Sequence, residues 1–140
     1  MNGPNLNLLG TREPALYGTD TLADVERLAA DAASARGFEL RAVQSNHEGV
    51  LVDAIHAARE DCAGIVINPA GLTHTSVVLR DALMAVELPV AEVHISDIRT
   101  REPFRQHSYV ADVHVIGEGV RGYSRAVGLL LDIITGRADG

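Results

Sequence analysis

Apolar runs typical of buried strands alternate along this chain with stretches in which apolar residues recur at helical spacing. This alternation restricts the fold more than any other feature of the sequence. The strand-like runs cover residues 38–44, 64–68, 89–95 and 113–116, and the helical spacing covers residues 21–36, 50–60, 76–86 and 122–135. Strands that alternate with helices pack as βα units on a parallel sheet. The sequence therefore predicts a three-layer α/β domain with a parallel sheet and helices on both faces.

Residues at both ends of the first predicted helix mark where it begins and ends. Thr21 and Asp24 form a capping box at the start of the first predicted helix, and Gly37 is a natural stop at its end.

At the amino end of the chain, Asn2-Gly3-Pro4 stands where such a sheet needs a first, central strand. We expect that this strand either lies upstream of the sequence or is not part of the sheet.

Length, charge and cysteine content narrow the class of protein. A chain of 140 residues fits one domain, which we expect to span residues 1–140. Its net charge of −7, with no run of Lys or Arg, argues against a nucleic-acid partner. The chain has one cysteine, Cys62, and no signal-like or membrane-length apolar segment. We therefore expect a cytoplasmic protein that has no internal disulfide and does not enter a membrane.

The opening loop, residues 1–18, has neither helical nor strand periodicity and is rich in Gly, Pro and Asn. A loop of this length in a small domain is typical of a lid or a binding loop, and it holds Asn5, Arg12 and Tyr17. A guanidinium beside a phenol favours the phenolate, which could then remove a carbon-bound proton. The alternative is a surface tyrosine packed on the arginine stem.

Polar residues gather at the carboxyl ends of the predicted strands, where parallel sheets bind ligands. Glu92 and His94 lie two apart in one strand, so their side chains share a face. A carboxylate beside an imidazole fixes its tautomer and favours its charged form, which suits a general acid; the alternative is a hydrogen-bonded core histidine. The other candidates, each of which could instead be an ordinary loop or cap residue, are Asn68, His74, Asp81, Arg101 and Arg105. The histidines, the carboxylates and Cys62 lack the spacing of metal ligands, which predicts no metal site.

Residues 117–122 match the Gly-x-Gly-x-x-Gly pattern of dinucleotide-binding proteins, between a predicted strand and a predicted helix. Only 18 residues follow Gly122, too few for the helix, the next strand and the acidic residue that hold the ribose in such proteins. We interpret the pattern as a tight strand-to-helix turn, which could also bind an anion. The alternative to an enzyme is a non-catalytic α/β module that binds an anion or a nucleotide at this turn.

Longer and more distinctive motifs occur in order along nearly the whole chain. They are Asn2-Gly-Pro-Asn-Leu-Asn-Leu-Leu-Gly10, Arg12-Glu-Pro14 with Tyr17-Gly18, Gln44-Ser-Asn-His-Glu-Gly49, Asn68-Pro-Ala-Gly-Leu-Thr-His-Thr-Ser76, Glu92-Val-His-Ile-Ser96, Arg101-Glu-Pro-Phe-Arg105 with His107-Ser-Tyr109, and Gly122-Tyr123. These motifs closely resemble those of the type II 3-dehydroquinate dehydratases. The resemblance implies a flavodoxin-like domain that assembles into dodecamers. It also implies an anti elimination of water from 3-dehydroquinate to 3-dehydroshikimate, without cofactor or metal, in the shikimate pathway or in quinate breakdown.

The resemblance implies catalytic roles for five residues, carried over by position. Tyr17 would be the base that takes the proton at C2, and Arg12 would keep it ionised or stabilise developing charge. His94 would be the acid that protonates the departing C1 hydroxyl, and Glu92 would orient it. Asn5 would hold a water that stabilises an enolate intermediate.

Substrate-binding roles follow in the same way. The substrate carboxylate would bind the backbone amides of Ile95 and Ser96. The side chains implied near the hydroxyls are Asn68, His74 and Arg105, and Asp81 matches a position that reaches a neighbouring subunit's site.

Asp97 departs from the family pattern, which more often has Asn at this position. A negative charge beside a carboxylate-binding turn would weaken substrate binding. We expect this effect to be offset if Asp97 is paired with Arg99 or Arg101.

Overall fold

Five helices and three strands are assigned in the structure, a computed structural model that describes residues 1–11, 14–111 and 113–136. The helices are α1 (Pro14–Tyr17), α2 (Leu22–Ser34), α3 (Glu48–Asp61), α4 (Val77–Val86) and α5 (Gly122–Thr135). The strands are β1 (Ile65–Ile67), β2 (Val90–His94) and β3 (His114–Ile116). Short 3-10 turns precede α5 and follow β1 and β2.

The three strands form a parallel sheet in the order β1-β2-β3. Ile67 on β1 pairs with Glu92, and Glu92 pairs with His114 on β3, so Glu92 stands in the middle of the sheet. Helices α2 and α5 pack on one face around an apolar core, and α3 and α4 enclose a second core on the other face. This arrangement confirms the predicted three-layer α/β architecture.

The sequence signals at the helix ends act as expected. Thr21 Oγ1 accepts a hydrogen bond from Asp24 N at 3.3 Å, and Asp24 Oδ2 accepts one from Thr21 N at 2.9 Å, which completes the capping box. Ser76 caps α4 by accepting a hydrogen bond from Leu79 N at 2.9 Å. Gly37, just past α2, has a φ of 80°, a left-handed conformation that glycine adopts at little cost. The four predicted helices are confirmed, with small differences at their ends.

The prediction of a strand over residues 38–44 is wrong. The structure assigns no strand to these residues, of which Gln44 alone forms a β-bridge, with Asn2. Asn2 also bridges to Asn68, just after β1. The opening residues thus lie between residues 38–44 and β1, where they form one bridge to Gln44 and one to Asn68. Among the described residues, no strand lies beside most of residues 38–44, so their apolar pattern forms no ladder.

A slot of about 530 Å³ lies in the sheet layer beside these bridges, between residues 37–43 and β1. Apolar side chains of α2, α3 and α5 contribute to its lining, together with Met1. The Met1 amino group donates a hydrogen bond to Val66 O at 2.7 Å. Burial lowers the pKa of this amino group to about 6, because the charged form loses its hydration. Among the described residues, the two bridges of Asn2 are the only strand-like pairing at the position of a first, central strand.

Candidate active site

A polar pocket of about 170 Å³ opens at the carboxyl ends of β1 and β2. This is the edge at which parallel sheets bind ligands. Its lining includes several of the residues that the sequence predicts for a site: Asn5, Asn68, His74, His94, Ile95, Ser96, Arg101 and Arg105. The strand ends and the opening loop therefore converge on one pocket, as expected from the order of the elements.

The Glu92–His94 pair lies against this pocket. Both residues are on β2, and strand alternation places their side chains on the same face. His94 Nε2 lies 2.5 Å from Glu92 Oε2. The Glu92 carboxylate can only accept, so Nε2–H donates, and Nδ1 is the ring nitrogen left for other partners. Glu92 is 0% exposed, which removes competing water from the pair.

Glu92 is held by four donors, of which three come from outside its own strand. Its Oε2 accepts from Thr73 Oγ1 at 2.5 Å, and its Oε1 accepts from Ser108 Oγ at 2.9 Å and from Ala111 N at 3.2 Å. Burial by itself would raise the pKa of Glu92, but the hydrogen bonds from His94 and Thr73 outweigh it and hold the pKa below its usual range. The carboxylate is therefore ionised and fixed in position.

Thr73 and Ser108, which hydrogen-bond to Glu92, are site residues that the sequence reasoning missed. Thr73 lies in the 3-10 turn Ala70–His74, and Ser108 lies in the loop before β3. Both occur inside motifs on which the family resemblance depends, and this was the one signal that could have identified them. A further imidazole, that of His114 on β3, has its Nε2 3.7 Å from Glu92 Oε1.

Asn68 and His74 present fixed polar groups to the pocket. Asn68 is buried, and its Oδ1 accepts a hydrogen bond from Ala70 N at 3.0 Å. His74 Nδ1 lies 2.7 Å from His107 O, so Nδ1 carries the proton and Nε2 is an acceptor when the ring is neutral. Burial lowers the pKa of His74, which favours that neutral form. Both side chains can bind hydroxyl groups.

The arginines supply positive charge to the same pocket. Arg105 and Arg101 both line it, and Arg105 Nε lies 2.8 Å from a carboxylate oxygen of Glu102. A guanidinium positioned by a carboxylate suits recognition of an anionic or hydroxylated ligand.

The turn after β2 brings Ile95 and Ser96 to the pocket. The carbonyls of His94 and Ile95 accept hydrogen bonds from Gly117 N at 3.1 Å and Gly119 N at 3.0 Å. The glycine amides of the Gly-x-Gly-x-x-Gly stretch therefore hold this turn and are not available to a pyrophosphate. These hydrogen bonds support the interpretation of the stretch as a tight strand-to-helix turn and not as a dinucleotide site. They also weaken the alternative of a nucleotide-binding module.

Asp97 is paired with Arg99. Arg99 Nε and Nη2 donate to the two carboxylate oxygens of Asp97, each at 2.9 Å. These hydrogen bonds hold the pKa of Asp97 below its usual range. The negative charge of Asp97, the departure from the family pattern noted in the sequence, is thus paired with a neighbouring cation.

The remaining predicted site residues differ in how far the structure describes them. Asn5 lines the pocket with a φ of 71°, and its backbone amide donates to Asn46 Oδ1 at 2.9 Å. Asp81 is exposed on α4, outside the pocket lining. Arg12 lies outside the described residues, as does the side chain of Tyr17, whose backbone ends α1.

Two further findings concern ligands and surroundings. Among residues 1–11, 14–111 and 113–136, no three His, Cys, Asp or Glu side chains are grouped as metal ligands would be. Across the same residues, every helix is too short or too polar to span a bilayer.

A buried carboxylate–imidazole pair beside a polar pocket, at the carboxyl edge of a parallel sheet, defines an α/β enzyme site suited to proton transfer. Comparison with known proteins identifies the family. Residues 1–131 match the family model described as dehydroquinase class II, and the chain belongs to this family.

Curated relatives agree with this assignment. The chain is 55% identical over 141 residues to 3-dehydroquinate dehydratase 2 of Pseudomonas putida, covering 99% of this chain and 95% of that one. It is 55% identical over 139 residues to catabolic 3-dehydroquinase 2 of Aspergillus flavus, covering 97% of this chain and 93% of that one. The similar proteins thus include one named as catabolic and one whose name does not mention catabolism.

Solved structures agree as well. The type II dehydroquinase of Butyrivibrio crossotus superposes with a TM-score of 0.89 at 39% identity and 93% coverage of both chains. That of Propionibacterium acnes has a TM-score of 0.86 at 39% identity, covering 92% of this chain and 91% of that one. The resemblance and the predicted flavodoxin-like α/β fold are confirmed.

Proposed function

We infer that this chain is a type II 3-dehydroquinate dehydratase, a hydro-lyase that removes water from 3-dehydroquinate to give 3-dehydroshikimate in the shikimate pathway. Membership of the family supports the reaction. The observation that carries the chemistry is the Glu92–His94 pair, a buried and fully hydrogen-bonded carboxylate that fixes an imidazole at the pocket.

The acid half of the reaction is assigned to His94. Its Nε2–H is held by Glu92, so the protonated ring delivers the proton on Nδ1 to the departing C1 hydroxyl. The C1–O bond breaks with its electron pair, and water leaves. The anionic Glu92 stabilises the positive ring before transfer, which makes Glu92 a positioning partner of the acid.

The base half is assigned to the opening segment. Tyr17, as the phenolate, takes the C2 proton from the opposite face, and Arg12 favours the ionised phenol. The C2–H electron pair moves into an enolate, and Asn5 holds a water that stabilises its oxygen. An acid and a base on separate segments suit an anti elimination.

Substrate recognition is assigned to the pocket lining. The substrate carboxylate binds the backbone amides of Ile95 and Ser96. The hydroxyls are bound by Asn68, His74 and Arg105, and their positions in the pocket lining support this role. Asp81, which is exposed on α4, is assigned to the site of a neighbouring subunit.

The proposal extends to the assembly and its setting. Residues 1–140 form a single domain that assembles as a homododecamer in the cytoplasm. The enzyme uses no cofactor and no metal ion, and it has no nucleic-acid or membrane partner. Support comes from the family resemblance and the net charge of −7.

The test is the ultraviolet absorbance of a conjugated enone, followed when the purified chain meets 3-dehydroquinate in the presence of a chelator. Growth of the signal is the expected result. In Tyr17→Phe we expect near-complete loss of turnover with substrate binding kept, because the phenolate is the base. Turnover retained in that variant would contradict the assignment of the base, and no signal from the unmodified chain would contradict the proposed function.

A further inference from the structure

A buried tyrosine connects the active-site pocket to the opening segment. Tyr123, in the first turn of α5, is 3% exposed. Its hydroxyl donates to Asn2 Oδ1 at 2.7 Å and accepts from Asn68 Nδ2 at 2.8 Å. None of the chemistry assigned above uses this hydroxyl.

The contact with Tyr123 fixes the orientation of the Asn68 amide. Asn68 Oδ1 is occupied by Ala70 N, and one hydrogen of Nδ2 is occupied by the tyrosine hydroxyl. An amide group has two N–H hydrogens, so one remains. Because Asn68 lines the pocket, this second hydrogen is the one that it can offer to a ligand.

The same hydroxyl fixes Asn2, and the opening segment is bound to Asn68 through its backbone. Asn68 N donates to Met1 O at 2.9 Å, and Gly3 N donates to Asn68 O at 2.8 Å. A Cβ on Gly3 would lie 2.6 Å from Pro69 O, which shows how closely the two segments approach. The opening segment then runs to Asn5 in the pocket wall. Tyr123 therefore bonds Asn2 and Asn68, which belong to two segments that both reach the pocket wall.

We propose that Tyr123 is a positioning residue for substrate binding: its hydroxyl holds the amide of Asn68 in the orientation that binds a substrate hydroxyl. The inference deepens the proposed function and rests on it. Packing alone does not explain the hydroxyl, since the ring lies in the apolar core between α2, α5 and the sheet. A phenylalanine would fill that space equally well and would leave Asn2 Oδ1 and Asn68 Nδ2 without their buried partner.

The test compares Tyr123→Phe with Val127→Ala in steady-state turnover of 3-dehydroquinate. Val127 lies one turn later on α5, is equally buried, and contacts neither asparagine through a hydrogen bond among the described residues. In Tyr123→Phe we expect KM to rise about fivefold, the effect of one hydrogen bond. We expect kcat to change by less than about twofold, because the lost contact binds substrate and transition state alike. Val127→Ala lowers the unfolding midpoint and leaves KM unchanged.

The KM values of these variants decide whether Tyr123 has a positioning role. An unchanged KM in Tyr123→Phe, or an equal rise of KM in Val127→Ala, overturns the positioning role. If Tyr123→Phe does not fold in buffer, it and the wild-type chain are both assayed in a stabilising osmolyte, and a KM of the variant equal to the wild-type value there again overturns the role. Absence of turnover in the unmodified chain refutes the proposed function itself, and the inference with it.

Discussion

Replacement of Glu92 by Gln tests the centre of the site, because it keeps the shape of the side chain and removes its charge. The Gln carbonyl can still accept from Ser108 Oγ and Ala111 N, the partners of Oε1. Its amide group then faces His94 Nε2, where the native carboxylate accepts at 2.5 Å. Two donors now face each other whenever the imidazole is protonated, so the charged acid is disfavoured.

The size of the effect follows from the bond that is lost. A hydrogen bond to a charged group contributes about 1.5–3 kcal/mol. Since about 1.4 kcal/mol corresponds to a factor of ten in rate, we expect kcat to fall between about tenfold and about a hundredfold, with KM changed far less. Glu118→Gln is the matched control, because Glu118 is a partly exposed carboxylate paired with Arg125 on the surface. A kcat within about twofold of the native value would falsify this account of the site.

The same variant makes a prediction about pH. The pKa of Glu92 in the folded chain lies below its ordinary value of 4.5. The carboxylate therefore contributes stability that is fully present above pH 4.5 and is lost as the pH falls through the lower, folded value. Urea unfolding should show the native chain losing its advantage over Glu92→Gln as the solution is acidified through that range. An advantage that stays constant down to acid pH would contradict the lowered pKa.

Two further variants test the surroundings of the pocket. Arg99→Ala removes the cation that pairs with Asp97 beside the turn proposed to bind the substrate carboxylate, so KM should rise about twofold to threefold. The double variant Asp97→Asn/Arg99→Ala should restore KM, and a double variant no better than the single one would show that charge is not the cause. Gly3→Ala places a Cβ 2.6 Å from Pro69 O and should destabilise the fold by about 1–3 kcal/mol in chemical denaturation. Gly49→Ala in α3, where a Cβ meets nothing within 4 Å, is its control and should be neutral or stabilising, so equal losses in the two variants would disprove the steric argument.

Much of the site follows from the period of its strand. Glu92 and His94 are two residues apart in an apolar run, and a strand then places both side chains on one face. The capping box of Thr21 and the turn at Gly117 are equally local, and the structure contains both. Local patterns of this kind depend on a few neighbouring residues, so the sequence is sufficient to predict them.

The partners of Glu92 could not be predicted in this way. Thr73 and Ser108 are 19 and 16 residues away from it in the chain, and they reach the carboxylate only because two loops pack over the end of β2. The prediction of a strand over residues 38–44 is wrong for a similar reason, because a β-ladder depends on a neighbouring strand and not on the apolar pattern alone. Arg12 and the side chain of Tyr17 lie outside the described residues, so their roles stay predictions.

The slot beside β1 separates residues 38–42 from the paired strands, which bears on hydrogen exchange. Residues 38–42 carry no assigned strand, whereas β2 is paired on both sides, with β1 and with β3. Backbone amides without a ladder exchange with solvent through small local openings, and a doubly paired central strand exchanges only when the domain unfolds. In deuterium exchange, we expect residues 39–42 to label early and Glu92 and His94 to label last. The acid pair would then stay assembled while the layer next to it opens and closes.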